Sequence, residues 1–503
     1  MAASGLRRLS RGAALVTGAL VLGLLAIVLV AFGLRAAWVA LFAAPPEPTH
    51  LEEKAAYLAS LPKVDPATAP NFVVIFFDDL GYGDLSSYDS ALIDTPNIDR
   101  AAAEGLRFTQ FYSASPVCTP SRASLLTGRY PPRAGVAAHV YFPSESRVGW
   151  LREMAGLEND LPLDEALLPE VLGAAGYATG MVGKWHLGGR TGHRPRQRGF
   201  DEWFGVLWSN DMYPLDLWAD DAVLERDERE PSAYGEHDEE RPLPGRGVDQ
   251  SRLTARYTDH AIEFIDRHQT EPFFLYVAHT FPHVPHYPDP EHAGSSRGGV
   301  YGDVVEDLDR STGAILEALR ERGLDRETFV LITSDNGGDY NGSVADLRGR
   351  KQEIFEGGQR VPAIAWWPGR IAAGQETDAM AMNIDVFPTL LGWAGLPLPD
   401  DRFIDGADLA PLLAGDAAEA HDLLFYFPPL STDGLPAAVR DADYKYLLET
   451  GVMNRSRPHL SDLRRDREAH DLRHLHRDRA ERLASALAEK RAEFETNQRG
   501  WRP

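Results

Sequence analysis

Cysteine is almost absent: the chain of 503 residues carries one, Cys118. A lone thiol forms no internal disulfide, so the fold must rest on its core and on any metal it binds. Positive charge is scarce too. Lys and Arg number 51 against 75 Asp and Glu, a formal net charge of −24. Such a mean field repels phosphate, which argues against nucleic acid or an anionic lipid surface as a partner. Any place where Lys, Arg and His gather therefore runs against the background. No internal repeat is evident. What remains is ordinary globular composition, 44% hydrophobic and 25% charged, at a length that suits one large domain or two sharing a core.

The N terminus stands apart from that core. Arg7, Arg8 and Arg11 precede an uncharged stretch from Gly12 to Leu34. Its length suits a membrane-spanning helix, with the arginines cytoplasmic and the remainder of the chain outside. Cleavage near Ala43 or Ala44 in "AWVALFAAPPEP" would make it a signal segment instead. An uncleaved anchor is the favoured reading. Residues 1–45 are thus expected to be anchor or signal, and 46–70 a tether with a short helix at "LEEKAAYLASL".

Beyond the tether, "NFVVIFF" (71–77) is a continuous run of Val, Ile and Phe, the pattern of a strand buried on both faces. Similar runs follow at "YATGMVG" (177–183), "FFLYVA" (273–278), "FVLITS" (329–334) and "PAIAWW" (362–367). Between them lie helical patterns such as "NIDRAAAEGLRF", "LLPEVLGAAG" and "VVEDLDRSTGAILEALRERG". This alternation predicts an α/β fold: a large mixed, mostly parallel sheet sandwiched by helices, over residues 71–400. Ligands of such sheets gather at the carboxyl ends of the strands. Residues 220–250, dense in mixed charge, read as a solvated excursion or a lid. From 401 to 503 the pattern changes to a smaller subdomain, with antiparallel strands at "LLFYF", "AAVRD" and "YKYLLE" and a charged terminal helix.

"NFVVIFF" runs into Asp78-Asp79, and "FVLITS" into Asp335-Asn336. One such pair after a strand is usually a turn. Two pairs, each closing a core strand, point to a divalent cation, because adjacent buried carboxylates repel unless positive charge lies between them. All the donors are hard oxygens, which suit Ca²⁺ or Mg²⁺ better than Zn²⁺.

Cys118 opens "CTPSRASLLTGR". Pro120 suits the first residue of a helix and Gly128 its stop, which would put Cys118 just before a helix N-terminus with Arg122 one turn in. There the thiol is expected to have a lowered pKa and nucleophilic character, unless it is simply a small buried hydrophobe. Neither role suits a hard oxygen site, because a thiolate is soft.

"CTPSRASLLTGR" resembles the signature of the formylglycine-dependent sulfatases of the alkaline-phosphatase superfamily: Cys-x-Pro-Ser-Arg and then Leu-Thr-Gly-Arg. The likeness continues through "FFDDLGYGDLSSY", "GYATGMVGKWHLG", "GFDEWFGVLWSNDMYP", "FEGGQRVPAIAWWPG" and "NIDVFPTLL", roughly residues 71 to 410. It implies that a maturation enzyme oxidises Cys118 to formylglycine, whose hydrated aldehyde, a gem-diol, binds the metal and attacks sulfur. By the same resemblance Asp78, Asp79, Asp335 and Asn336 are calcium ligands, completed by residue 118, and Arg122 steadies the gem-diol. Lys184 and His186 in "GKWHLG" would contact a sulfate oxygen and the formylglycine. The Pro-His-x-Pro register of "FPHVPHYP" selects His283 over His279 and His286 for sulfate, and Lys351 would protonate the leaving oxygen. Ser209 would support them.

The implied activity is hydrolysis of aryl or sugar sulfate esters, with sulfate expelled when the second hydroxyl of the gem-diol loses its proton to His186. "GFDEWFGVLWSNDMYP" is more similar to the lysosomal type of arylsulfatase than to the glycosaminoglycan exo-sulfatases. Other readings stay open: a phosphonate monoester or phosphodiester hydrolase with the same nucleophile, a thiol hydrolase that keeps the thiolate, and a non-catalytic sulfated-glycan binder. The missing disulfides and the basic-flanked N terminus suggest a bacterial envelope protein, membrane-anchored or secreted.

Overall fold

β1 (Asn71–Asp78) is buried along its whole length, and its side chains alternate between two separate cores. Phe72, Val74 and Phe76 enter one, Val73, Ile75 and Phe77 the other. A strand of period two that is apolar at every position must have both faces covered. The computed structural model describes residues 49–136, 140–154, 159–231, 247–429, 433–448, 458–465 and 467–502, with Gly23 and Gly33. Leu51–Pro503 make one compact unit. The expected anchor at 12–34 lies outside the described residues apart from those glycines, as does the middle of the 220–250 excursion. Among the described residues no helix is long and apolar enough to cross a membrane.

The main sheet runs in the order β10 (Gln375–Thr377), β2 (Leu106–Tyr112), β9 (Arg360–Trp366), β8 (Thr328–Ser334), β1, β7 (Phe273–Pro282), β3 (Ala178–Lys184), β4 (Glu202–Val206), β5 (Leu217–Ala219) and β6 (Ala222–Glu225), with β11 (Ala381–Met382) also pairing β2. From β8 through β4 every pairing is parallel. β9 is antiparallel to both neighbours, and β5 and β6 close the far edge antiparallel. Helices Cys118–Thr127, Leu168–Ala175 and Val386–Trp393 feed one core; Leu253–Arg267 and Gly299–Glu321 feed the other. This is the expected mixed, mostly parallel sheet between helical layers.

The sequence reading passed over β2, β4, β5, β6, β10, β11 and β15, and β6 lies within the 220–250 stretch expected to be a solvated excursion. The helical pattern "NIDRAAAEGLRF" ends at Glu104, and Leu106 already belongs to β2. Gly105 marks the break: a Cβ there would lie 2.3 Å from the Ala365 carbonyl oxygen of β9, so only glycine permits the approach. The second sheet holds β12 (Leu424–Tyr426), β13 (Ala438–Arg440), β14 (Tyr444–Leu448) and an unanticipated β15 (Pro458–Asp462), all antiparallel. Its polar sequence, "PHLSD", offers only Leu460 to the core. Helix Arg477–Thr496 covers this sheet with Leu483, Leu487 and Phe494, and Tyr112 and Tyr130 join the same apolar cluster.

Candidate active site

The parallel strands all point their carboxyl ends to one edge of the sheet, and the expected site residues stand there. β1 ends at Asp78, with Asp79 turning sharply at φ 67°. β8 leads into Asp335 and Asn336, β7 into His283, β4 into Ser209. β3 ends at Lys184, and His186 follows at φ 58°. Cys118 comes after β2, which runs the same way because β9 reverses direction twice. The helix starts two residues before the expected Pro120: Cys118 is its first residue and Val117 its extended cap. Pro120 still sits in the first turn, where a missing N–H leaves no bond unmade. Gly128, at φ 69°, ends the helix as expected.

These side chains meet in one buried cluster. The Cys118 thiol donates to Asp78 Oδ1 at 3.2 Å. Ligand atoms from Asp78, Asp79, Cys118 and His283 all lie within 4.8 Å of one another. The Lys184 ammonium donates to Asp78 Oδ2 and, at 3.1 Å, to Ser209 Oγ. Arg122 donates to Asp335 Oδ2 at 2.8 and 3.1 Å, lies 3.6 Å from Asp78 and also binds the Lys184 carbonyl. Lys351 reaches Asp79 Oδ2 at 2.7 Å, with His283 Nε2 3.7 Å from the same oxygen and 3.5 Å from Ser209. Asp78, Asp79 and Asp335 are thus matched by Arg122, Lys184 and Lys351, as buried charges must be.

The environment sets the protonation states. Burial works against ionised Asp78, but Lys184 and Arg122 hold its carboxyl well below the usual range. Asp335 is pushed up to about 7 by burial and by Asp78 beside it. Burial, Asp335 and Asp78 raise the Cys118 thiol well above its ordinary value. The expected lowering at the helix N-terminus is therefore overturned: two carboxylates and the loss of water outweigh the helix dipole. A thiolate nucleophile is disfavoured here. Burial, with Lys184 and Arg122, pulls His186 well below its ordinary value, so its ring is neutral. Its Nε2 faces the Tyr141 carbonyl at 3.0 Å. A carbonyl only accepts, so Nε2 carries the proton and Nδ1 is a bare base, buried without a partner.

The donor set suits a hard divalent cation. Asn336 Nδ2 donates to Asp79 Oδ1 at 2.7 Å and to the Gly337 carbonyl, which leaves Asn336 Oδ1 buried without a partner. An orphan amide oxygen next to a cluster of carboxylates is the environment an oxygen-liganded cation completes. Two groupings overlap at Asp78, Asp79 and residue 118: the geometric one adds His283, the sequence one Asp335 and Asn336. The orphan amide oxygen belongs to the second grouping.

A family model described as Sulfatase matches residues 70–396, and one described as N-sulphoglucosamine sulphohydrolase, C-terminal, matches residues 350–495. The chain belongs to the sulfatase family. N-acetylgalactosamine-6-sulfatase of Mus musculus is 42% identical over 71% of this chain and 68% of its own length. Arylsulfatase A of Bos taurus is 41% identical over 75% of each chain. Among solved structures, one described under the metabolism of multiple glycosaminoglycans by Bacteroides thetaiotaomicron superposes with a TM-score of 0.72 at 27% identity, over 84% of this chain and all of that one. The phosphonate monoester hydrolase of Agrobacterium radiobacter, at 19% identity and a TM-score of 0.59, shares the fold alone. The protein is an enzyme, a sulfatase, and its reaction is sulfate ester hydrolysis; the phosphonate and binding alternatives are not favoured.

Within this sulfatase, the crowded registers separate cleanly. Of three neighbouring histidines only His283 faces Asp79; His279 stacks on Phe77, and His286 turns back to the Pro282 carbonyl. Arg350 donates to the Asp339 and Gly342 carbonyls and Arg348 lies over Phe355, so Lys351 alone of that trio points into the site. Sequence reasoning missed the supports. Thr119 Oγ1 ties the Cys118 helix to the His186 carbonyl at 3.1 Å, and Asn383 binds Ser121 and the Ala114 N–H. Asn383 was at least visible inside "NIDVFPTLL". The Tyr141 carbonyl that orients His186 carries no sequence signal, because every residue has a carbonyl.

Proposed function

We propose that this sulfatase cleaves aryl or sugar sulfate esters with a formylglycine made from Cys118 by a maturation enzyme, and with Ca²⁺, or Mg²⁺ in its place, held by Asp78, Asp79, Asp335 and Asn336. One observation carries the reading: Lys184, Ser209, His283 and Lys351 converge on the buried group of Asp78, Asp79 and Cys118. Formylglycine would supply two geminal hydroxyls, one to attack sulfur and one to release it, and the cation would supply positive charge beside them.

The protein's own residues do the remainder. Lys184, Ser209 and His283 bind the sulfate oxygens and stabilise the charge that builds there in the transition state. Lys351, its pKa raised well above the ordinary value by Asp79 against the pull of burial, arrives charged and gives its proton to the departing oxygen. Neutral His186, bare at Nδ1, takes the proton whose loss lets the second hydroxyl expel sulfate. Arg122 holds Asp335 and Asp78 in place and steadies the gem-diol. The stretch 12–34 is proposed to keep the enzyme at the membrane with its catalytic part outside the cytoplasm.

Mass spectrometry of the tryptic peptide containing residue 118, from protein made in its native host, tests the central step. Formylglycine is expected, lighter than cysteine by about 18 Da through loss of sulfur, gain of oxygen and oxidation. A peptide carrying only unmodified thiol overturns the reading.

A further inference from the structure

Lys351 lies on the connection between β8 and β9, and its segment is gripped by the C-terminal sheet. On the catalytic side the Lys351 N–H donates to the Gly338 carbonyl at 3.1 Å, the Gln352 N–H to the Pro116 carbonyl at 2.8 Å, and Arg350 to the Asp339 and Gly342 carbonyls at 2.6 and 2.7 Å. On the other side, Lys445 of β14 donates to the Ile354 carbonyl at 2.7 Å and to Glu356 Oε1 at 3.2 Å. Lys445 also pairs with Glu468 Oε1 at 3.0 Å, and Glu468 Oε2 accepts the Glu356 N–H at 2.8 Å. The Glu468 carbonyl takes Arg348. The segment from 348 to 356, which contains Lys351, is therefore tied to Glu468 at both ends and to Lys445 at its far end.

This cluster is a costly way to hold a loop. The Lys445, Glu468 and Glu356 side chains are 1%, 2% and 3% exposed, and buried ion pairs seldom repay their desolvation in stability alone. Glu468 sits at φ 63°, a strained conformation for a residue with a Cβ. Tyr112, Tyr426 and Arg440 complete the shell around Glu356. A network of this kind specifies one geometry.

We infer that Lys445 and Glu468 are positioning residues for Lys351: the C-terminal sheet sets where the leaving-group proton donor stands. The inference rests on the reading of Lys351 as that donor. Misplacement by about 1 Å costs about a hundredfold in rate, and here the cost falls on the leaving group while sulfate binding by Lys184, Ser209 and His283 is spared.

The test compares kcat/KM for nitrophenyl sulfate, whose leaving group departs unaided, with that for an unactivated alkyl sulfate, which needs the proton. Lys351→Ala is the reference, expected to lose at least about a hundredfold more on the alkyl ester. Lys445→Met is expected to follow it, losing at least about tenfold more on the alkyl than on the nitrophenyl ester, with inhibition by inorganic sulfate unchanged and Lys445→Arg restoring the ratio. Should Lys445→Met fail to fold, Glu468→Gln, which keeps the size and a hydrogen-bonding head, carries the same comparison. Equal losses on both esters beside a selective Lys351→Ala overturn the inference alone. A Lys351→Ala loss that ignores the leaving group overturns the role of Lys351 and the inference with it.

Discussion

Asp335 and Glu165 are both carboxylates with fully buried side chains, each facing arginine, yet their chemistry is opposite. Glu165 accepts from Arg129 at 2.6 and 2.7 Å and from Arg499 at 2.9 Å, with Arg402 3.7 Å away. Burial opposes its charge, but these three cations pull its pKa down to about 2. Asp335 has Arg122, but also Asp78 and Asp79, and is pushed up to about 7. Burial is common to both, so the sign is decided by the neighbours. Around Glu165 cations outnumber the carboxylate and tie Arg499 to the loops that hold Arg133, Asp164 and Glu165; around Asp335 the neighbouring carboxylates Asp78 and Asp79 offset the pull of its cations.

The contrast is broken most severely by exchanging roles. Asp335→Asn is expected to cut sulfate ester turnover by at least about a thousandfold, while the metal-free protein melts no lower than wild type because a like-charge repulsion is gone. Cys118→Ala should lose as much activity at an unchanged melting temperature. Paired aryl sulfate assays and thermal melts check both; substantial turnover in Cys118→Ala would remove residue 118 from the chemistry.

Glu165→Gln should do the reverse. Removing one partner of a buried ion cluster leaves uncompensated cations and costs about 3–5 kcal/mol of stability. Turnover per folded molecule should stay within about threefold of wild type, since Glu165 touches no site residue. Urea unfolding monitored beside activity tests this, and a variant as stable as wild type would show that the cluster is ornamental.

The smallest effect is the pH dependence. Glu165 has a folded pKa of about 2, below the ordinary 4.5. Its contribution is present above pH 4.5 and lost as the pH falls toward 2. In metal-free protein Asp335 has a folded pKa of about 7, above the ordinary 3.8. Its contribution is full below pH 3.8 and lost as the pH rises through 7. Melts of chelated protein between about pH 3 and 8 should therefore lose the acid limb in Glu165→Gln and the alkaline limb in Asp335→Asn. A divalent cation should flatten the alkaline limb of wild type.

Much of the site was legible before any fold was known. Asp78-Asp79 and Asp335-Asn336 stood out because each pair ended an apolar run, and the resemblance supplied Lys184, His186, His283 and Lys351. Other features were hidden. β2 was absorbed into a helical pattern because a single glycine, Gly105, is a weak break until the close approach of β9 is known. β15 lacks alternation, and only pairing with β14 makes it a strand. The grip of Lys445 and Glu468 on the Lys351 segment joins residues roughly a hundred positions apart, beyond the reach of any local pattern.

The sequence by itself determined that Asp78-Asp79 and Asp335-Asn336 would stand together at the strand ends. Parallel strands register side by side, so side chains placed just after apolar runs are carried to one edge whatever the details of packing. Only the tertiary structure decided what state those atoms are in. The Cys118 thiol was read either as readily ionised or as a small buried hydrophobe, and burial with Asp335 and Asp78 decides for the protonated form; Asp335 and Glu165 diverge though both are buried acids. Protonation depends on distance and on excluded water, and both are set by partners that the chain brings together from far apart.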